Sequence, residues 1–583
     1  MAMIAKTKWT CRPLALLAAA TALVPAAAMA QADPAAAVAP APSETAMVNL
    51  VRALVAQGAL KAEVGDQLIA QAEAEATIAR TRTAPTDLPA APAGAIRVPY
   101  VPESVRAQIR DEIKAEVMQQ ARAESWASPD QAAPEWTRRI RIYGDVRLRS
   151  QSELYAQTNA NDIIDYATIN ANSPYGIDDP RLLLPILNSR NDRWNQMRLR
   201  ARLGIDIDVA KGITAGVALA TGDNASPISS NASLAGGFFK RDFWLDKGWF
   251  KVQPFDQASA TFGRFGNPFD SSDLLYDPDL NLDGVTVALN SGKWLSEDAR
   301  ITLRGGAFPV DYGSSNYPNF AFEKVKTPQK YIFSGELEAA GEFGGVKAKF
   351  SAGYHVFHNF QGDLSEPCQT EVETFCSTDY LQPLFMTKGN TLSPLRQIVT
   401  LTPDASLPQI LGYTFAYNVL DVNGSVIVPL DDETMVRLSG SFVKNLGFDA
   451  DDICRNGLAG RPYNNAEAGG GTYCAADAAQ RATFAGGDTG WRAEVLLGRP
   501  QVVNRGQWNV LAGYRYLESD AVLDAFTDSA FHRGGTNSKG YFIGGTYALA
   551  DHLTIGSRWM SANEISGAPL AIDVLQVDMQ VSF

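Results

Sequence analysis

The 583-residue chain has only four histidines and five cysteines, and both shortages limit its chemistry. His355 and His358 stand three apart in a stretch of period 2, and His532 and His552 are isolated. Successive strand positions point to opposite sides, so no two imidazoles are set to share a metal ion. The chain also lacks a Gly-x-Ser-x-Gly elbow, a His-Glu-x-x-His pair and a Gly-Lys-Ser/Thr loop, short signatures of serine hydrolases, zinc proteases and phosphate-binding folds. Neither an enzyme nor a cofactor is expected. Basic residues are in deficit, 51 Lys and Arg against 64 Asp and Glu, for a net charge of −13. That balance argues against a nucleic-acid partner, which needs a basic surface. Beyond the amino-terminal leader no run approaches the roughly 18 apolar residues of a transmembrane helix.

What is present starts with that leader. Lys6, Lys8 and Arg12 precede the apolar run Leu14 to Val24, and Ala28-Met29-Ala30 forms a small-x-small cleavage site. Residues 1–30 therefore read as a secretory signal peptide. Cys11 lies before the apolar run, which argues against a lipoprotein anchor. Cleavage removes three basic residues and no acids, taking the net charge from −13 to −16. Four cysteines remain, Cys368 with Cys376 and Cys454 with Cys474, each pair close in sequence and in a loop-like stretch. Export permits disulfides, and local staples are the natural pairing. The other two connectivities, free thiols and metal ligation stay open on sequence alone.

Residues 31–135 read as a periplasmic helical extension with Ala/Pro-rich linkers at 32–42 and 83–95. Met47, Leu50, Val51, Leu54 and Val55 recur at helical spacing, Val64, Leu68 and Ile69 continue after Gly58, and Val105, Ile109, Ile113 and Val117 follow Pro102. These helices are too short for a coiled coil. They fit either packing on the end of a larger domain or contact with another copy or with peptidoglycan.

From Ile140 the period changes to 2. Ile140, Ile142, Gly144, Val146 and Leu148 alternate with Arg141, Tyr143, Asp145, Arg147 and Arg149, and Met197 to Val209 alternates with Arg198, Arg200 and Arg202. A soluble sandwich would not place three arginines in a row on an inward face, whereas a barrel in lipid, apolar outward and polar inward, accommodates them. A secreted soluble β-protein is the competing reading, and it must explain these two-faced strands. Sixteen strands are expected, near 140–153, 194–210, 213–221, 238–252, 258–266, 284–290, 300–308, 330–343, 346–360, 411–429, 434–446, 489–499, 507–518, 539–549, 552–561 and 573–583. Short turns such as Lys211-Gly212, Gly344-Gly345, Asp431-Asp432 and Ala550-Asp551 alternate with long loops. Even strand number and this alternation are the pattern of an outer-membrane barrel. The predicted class is thus all-β transmembrane, an antiparallel barrel of about 16 strands over residues 136–583, with water rather than a buried core as its content. Phe238, Phe239, Trp249, Phe250, Tyr541 and Phe542 are candidates for its interfacial girdles.

Several stretches carry a resemblance. They are Val101-Pro102-Glu103-Ser104-Val105-Arg106, the run from Glu135-Trp136-Thr137-Arg138-Arg139 into Tyr143-Gly144-Asp145, Gly263-Arg264-Phe265-Gly266-Asn267-Pro268-Phe269, and Asp277-Pro278-Asp279-Leu280-Asn281-Leu282-Asp283-Gly284. With the alternating last strand ending in Phe583, they resemble the putative-porin family of proteobacterial outer-membrane proteins over most of the chain. The resemblance implies a channel for passive diffusion of small hydrophilic solutes, set in outer-membrane lipid and lipopolysaccharide, and it implies a homotrimer. It also implies that the third long loop, 267–283, folds into the barrel. That loop carries Asp270, Asp273, Asp277, Asp279 and Asp283, and Arg147, Arg149, Arg198, Arg200 and Arg202 form a basic ladder on the wall. Opposed charges across a water-filled constriction would select solutes by charge. Alternatives are acids at the rim binding cations, a cell-wall tether, and a substrate-specific channel gated by external loops. The Asp277-x-Asp279-x-Asn281-x-Asp283 spacing is not an EF-hand, because Leu282 and Ala288 stand where glycine and glutamate are required. A looser calcium site stays open.

Overall fold

The computed structural model describes residues 137–583 apart from 173–184, 223–225, 293–297, 314–323, 325, 327, 370–374, 400–408, 456–461, 463, 466–472 and 475–483, together with Ala70. Residues 1–136, which include the expected leader and the helical extension at 31–135, lie outside the described residues, Ala70 aside. The chain divides into two units, Met1–Ala115 and Glu116–Phe583, and every strand among the described residues lies in the second.

Sixteen strands form the wall. They are β1 (Ile140–Tyr155), β2 (Arg193–Ala210), β3 (Ile213–Ala220), β4 (Trp244–Phe255), β5 (Ala258–Gly266), β6 (Asn281–Asn290), β7 (Ala299–Asp311), β8 (Lys330–Phe343), β9 (Val346–His358), β10 (Tyr417–Pro429), β11 (Met435–Asn445), β12 (Thr489–Gly498), β13 (Trp508–Leu517), β14 (Ser538–Ala550), β15 (Leu553–Asn563) and β16 (Ile572–Ser582). Each pairs antiparallel with the next. β16 returns to β1 in a register running from Asp145↔Ser582 to Tyr155↔Ile572. Phe583 completes the closure, exchanging backbone hydrogen bonds of 2.9 and 3.0 Å with Gly144. Closure leaves no strand edge in the wall, as a lipid surround requires.

The predicted alternation is realised. Leu203, Ile205, Ile207 and Val209 of β2 and Val577, Met579 and Val581 of β16 are exposed on the outer face, while Arg200 is buried inside. Tight turns such as Gly344-Gly345, with φ of +58° and +82°, close one end, and loops such as 156–192, 359–416 and 446–488 cover the other. The girdle expectation needs correction at Trp249 and Phe542. Tyr541 is exposed but Phe542 is buried in the lumen, beneath the guanidinium groups of Arg492 and Arg558, each 4.9 Å from its ring. Phe250 stacks on Phe262 outside, and Trp249 packs against the interior cluster. Adjacent strand residues cannot both face lipid. Phe238 and Phe239 precede β4 rather than lying on it, and the tenth strand begins at Tyr417 because Leu411–Tyr413 pairs instead with Leu392–Pro394 inside a loop.

The content of the barrel is the larger correction. Phe265, Leu274, Leu275, Phe308, Ile332, Phe357, Leu392, Tyr417, Val443, Leu517 and Val522, among others, form one buried cluster of wall and loop residues. Water alone does not fill this lumen, because long-loop residues with apolar side chains fold inward and find apolar partners on the loop-side ends of the strands.

Candidate functional site

The inward-folding loop starts where β5 and β6 release their connecting segment. Gly263 and Gly284 face each other there with φ of +111° and +141°. A Cβ at either would lie 2.3 Å from a neighbouring strand's carbonyl oxygen. Beyond them the Asn267 side chain accepts from the Phe269 amide at 3.1 Å and donates to Ser271 at 2.6 Å, turning the chain inward.

Loop 267–280 then crosses the interior. The Asp270 amide donates to Glu336 of β8 (2.7 Å), and the Asp270 carboxylate takes Lys349 of β9 (2.6 Å). Asn423 of β10 donates to the Asp270 carbonyl at 2.8 Å. Asp273 pairs with Arg492 of β12 at 2.6 Å. Leu274 and Leu275 follow, fully buried. Asp277 accepts from the amides of Ser529 and Asp279, both at 2.8 Å. Asp279 returns to the near wall, 3.5 Å from both Arg200 and Arg202 and 2.8 Å from the Ser230 hydroxyl. The loop therefore touches wall strands on both sides of the barrel.

Its acids differ in electrostatic setting. Burial would raise Asp273, but Arg492, Arg515 and Arg558 outweigh it and hold the carboxyl below the ordinary range. Burial is likewise outweighed at Asp279, by Arg200 and the Ser230 hydrogen bonds. Asp277 has no cation to offset burial, and burial and then Asp528 push it up to about 7.

All five predicted arginines sit on β1 and β2, and most are neutralised. Arg200 and Arg202 share Asp145 at 2.8 and 2.6 Å, Arg149 pairs with Asp578 at 2.7 Å, Arg198 lies 3.8 Å from Glu153, and Arg147 donates to Asn231 at 2.8 Å. The expected arrangement, five acids facing five bases across water, is not what the fold builds. Asp279 touches the ladder directly, Asp270 and Asp273 take cations elsewhere on the wall, and Asp283 lies in β6 bonded to Arg264 at 3.2 Å. Like charges crowded in a narrow space repel and lose hydration, so each is stable here only with a partner. These partners also pull the acids of the Asp277–Asp283 stretch apart, and among the described residues no group of three or more His, Cys, Asp or Glu is placed to hold a metal ion.

Loop 518–537 locks onto this one, its Asp528 amide donating to the Asp273 carbonyl at 3.1 Å, and residues 390–417 lock onto loop 518–537 in turn. Tyr413 and Tyr417 donate to Asp524 and Asp520 at 2.7 and 3.1 Å, and Asn390 donates to the Val522 carbonyl at 2.9 Å. Burial pushes Asp520 up to about 6 and Asp524 up to about 7. Cys368–Cys376 and Cys454–Cys474 are bonded, the local pairing, in loops 359–416 and 446–488.

Space remains along one side. Cavities of about 1000, 250 and 710 Å³ follow one another. The outer two share Tyr166, Lys388 and Leu570 in their linings, and the inner two share Asn170, Ser226 and Phe385. At that second junction Asn170 clamps the chain of Met386, donating to its carbonyl at 2.7 Å and accepting from its amide at 3.2 Å. Sequence reasoning missed these groups. Arg492 and Arg515 carried an inward-parity signal on their strands, but Asn170, Asp520 and Asp524 lie in loops with no periodicity.

Comparisons with known proteins show a family and several distant structural likenesses. A family model described as "Putative porin" matches residues 44–583. No curated protein matches the sequence. Among solved structures, OprB of Pseudomonas putida in its high-pH form is 12% identical with a TM-score of 0.41, covering 77% of this chain and 95% of its own. The outer-membrane channel DcaP of Acinetobacter baumannii is 11% identical with a TM-score of 0.34, covering 76% and 97%. OmpF of Salmonella typhi, in complex with daunomycin, is 9% identical with a TM-score of 0.36, covering 76% and 97%. With a closed sixteen-stranded barrel and a family match over nearly all of its length, the chain belongs to the putative-porin family of outer-membrane channel proteins.

Proposed function

We propose that this outer-membrane channel passes small hydrophilic solutes by passive diffusion along one side of its lumen, and that its own loops gate the passage. The observation that carries the reading is the run of three cavities with shared linings beside a lumen otherwise filled by packed loops. A lumen held by Asp273–Arg492, Asp520–Tyr417 and Asn170–Met386 contacts favours a substrate-selective channel over an open sieve. Arg147, Arg149, Arg198, Arg200 and Arg202, with Asp270, Asp273, Asp277, Asp279 and Asp283, set the charge along the path and the docking of the constriction loop. No catalytic step is involved. The exported chain would lose residues 1–30, assemble as a homotrimer and use residues 31–135 to contact peptidoglycan. Proteoliposome swelling with sugars of increasing mass tests the reading. Swelling that falls steeply with solute mass is expected, and no swelling with any solute refutes passive diffusion.

A further inference from the structure

The inner chamber, about 710 Å³, has two unlike walls. One is aromatic, with Phe308, Phe360, Phe385 and Phe526 in its lining. Phe360 and Phe526 meet edge to face with ring centroids 6.4 Å apart. The other wall is charged. Asp279 has Arg200 and Arg202, Asp283 has Arg264, and Lys330 has the Gln382 carbonyl and Asp311 at 3.9 Å. Among the charged groups lining the chamber, Asp246 has no cation within 4.0 Å among the described residues, and its carboxylate accepts one hydrogen bond, from Asn281 at 2.7 Å. Arg264 binds Asp283 and the backbone carbonyl of Asp246 rather than its carboxylate, and Lys247, Arg202 and Arg264 act on that carboxylate only from beyond ion-pair distance.

Asp246 reaches this position through a break in strand pairing. The β3–β4 register runs from Ala218↔Lys247 to Leu219↔Leu245, so Asp246 is the extra residue of a β-bulge. A bulge re-aims a side chain and is common beside functional sites. One carboxylate without an ion-pair partner, in a lining that also holds a cluster of phenylalanine rings, suits a cation attached to an apolar ring. The ammonium meets the carboxylate, and the ring packs on the aromatic wall, whose faces also attract cations. The volume lies within the range of small-molecule sites.

We propose that the chamber is a binding site for small organic cations bearing an aromatic or alicyclic ring, with the ammonium on Asp246 and the ring on the Phe360–Phe526 wall. This inference rests on the channel reading above. It is tested with the purified full chain in planar bilayers, by titrating benzylammonium, choline and benzoate against the potassium chloride current. Benzylammonium is expected to block at about tenfold lower concentration than choline or benzoate. Asp246→Asn should raise its half-blocking concentration about tenfold, and Phe526→Leu should weaken the block by benzylammonium but not by choline. Equal block by benzoate, or an unchanged block in Asp246→Asn, overturns the proposal while leaving the channel intact. Absence of any current in the wild-type protein overturns the channel reading and this proposal together.

Discussion

Replacing Asp273 by alanine removes a buried ion pair that ties loop 267–280 to the wall. The carboxylate sits 2.6 Å from Arg492, with Arg515 and Arg558 beside it. Glu494 and Asp528 remain as counter-charges for two of these arginines, but the loop loses its ion pair to β12. Breaking a buried ion pair by removing one partner costs roughly 3–5 kcal/mol. Against that loss the loop keeps the Asp270–Lys349 and Asp279–Arg200 pairs and the burial of Leu274 and Leu275, each leucine contributing about 1.5–3 kcal/mol. The loop should therefore stay docked most of the time, while its undocked fraction rises roughly 150- to 5,000-fold. In single-channel recordings this predicts frequent brief excursions to a larger conductance over a main level close to wild type. Denaturation of the barrel, followed by its mobility shift on heating in detergent, should change little. A variant as quiet as wild type would refute the view that Asp273 holds the loop across the lumen.

Acidity should tighten the loops. Asp277, Asp520 and Asp524 titrate at about 7, 6 and 7 when docked, against an ordinary value of 3.8, so the docked state holds protons that a released loop gives up. Docking is then strongest below pH about 4 and weakens as pH rises to about 7, by on the order of 4 kcal/mol for a group moved from about 4 to about 7. Asp273 and Asp279, held low, lose their contribution only at more acidic pH. Occluded dwell times should lengthen from pH 8 to pH 5, with a flatter response in Asp520→Asn with Asp524→Asn, and the opposite slope would contradict the assignment. Reducing the disulfides should remove roughly 2.5 and 3 kcal/mol of loop constraint for separations of 8 and 20 residues. Limited proteolysis should then cut loops 359–416 and 446–488 while the barrel stays intact, and unchanged protection would show that the staples are dispensable. Gly284→Val forces a side chain into a carbonyl contact at positive φ, at a cost of about 1–3 kcal/mol. The yield of folded barrel in a refolding assay should fall, and a wild-type yield would contradict the strain.

The wall was legible in the sequence because lipid outside and polar groups inside impose a strict period of 2, and that period fixes strand number and sidedness. Leu203, Ile205 and Ile207 opposite Arg200 and Arg202 report it without ambiguity. The misreadings came from places where the period does not act. Phe542 seemed a girdle residue by type, yet parity with Tyr541 turns it inward. The inward packing of Leu274 and Val522 was hidden because loops have no repeat, and the apolar partners they meet lie far away in sequence. Asp270, Asp273 and Asp279 were recognised as a group, but which cation each takes depends on the path of the loop, which composition does not carry. Asp246 escaped notice because a bulge, visible only in the register, decides where it points.

The most direct test of the central claim is the single-channel conductance of the purified protein in a planar bilayer under a salt gradient. Stable steps are expected, smaller than an unobstructed sixteen-stranded lumen would give, because loop residues pack into the lumen. A reversal potential that shifts when Arg198 and Arg202 are replaced by glutamine is also expected. Complete absence of steps from a barrel shown to be folded would contradict a channel, and steps of full lumen size would contradict the loop-filled interior.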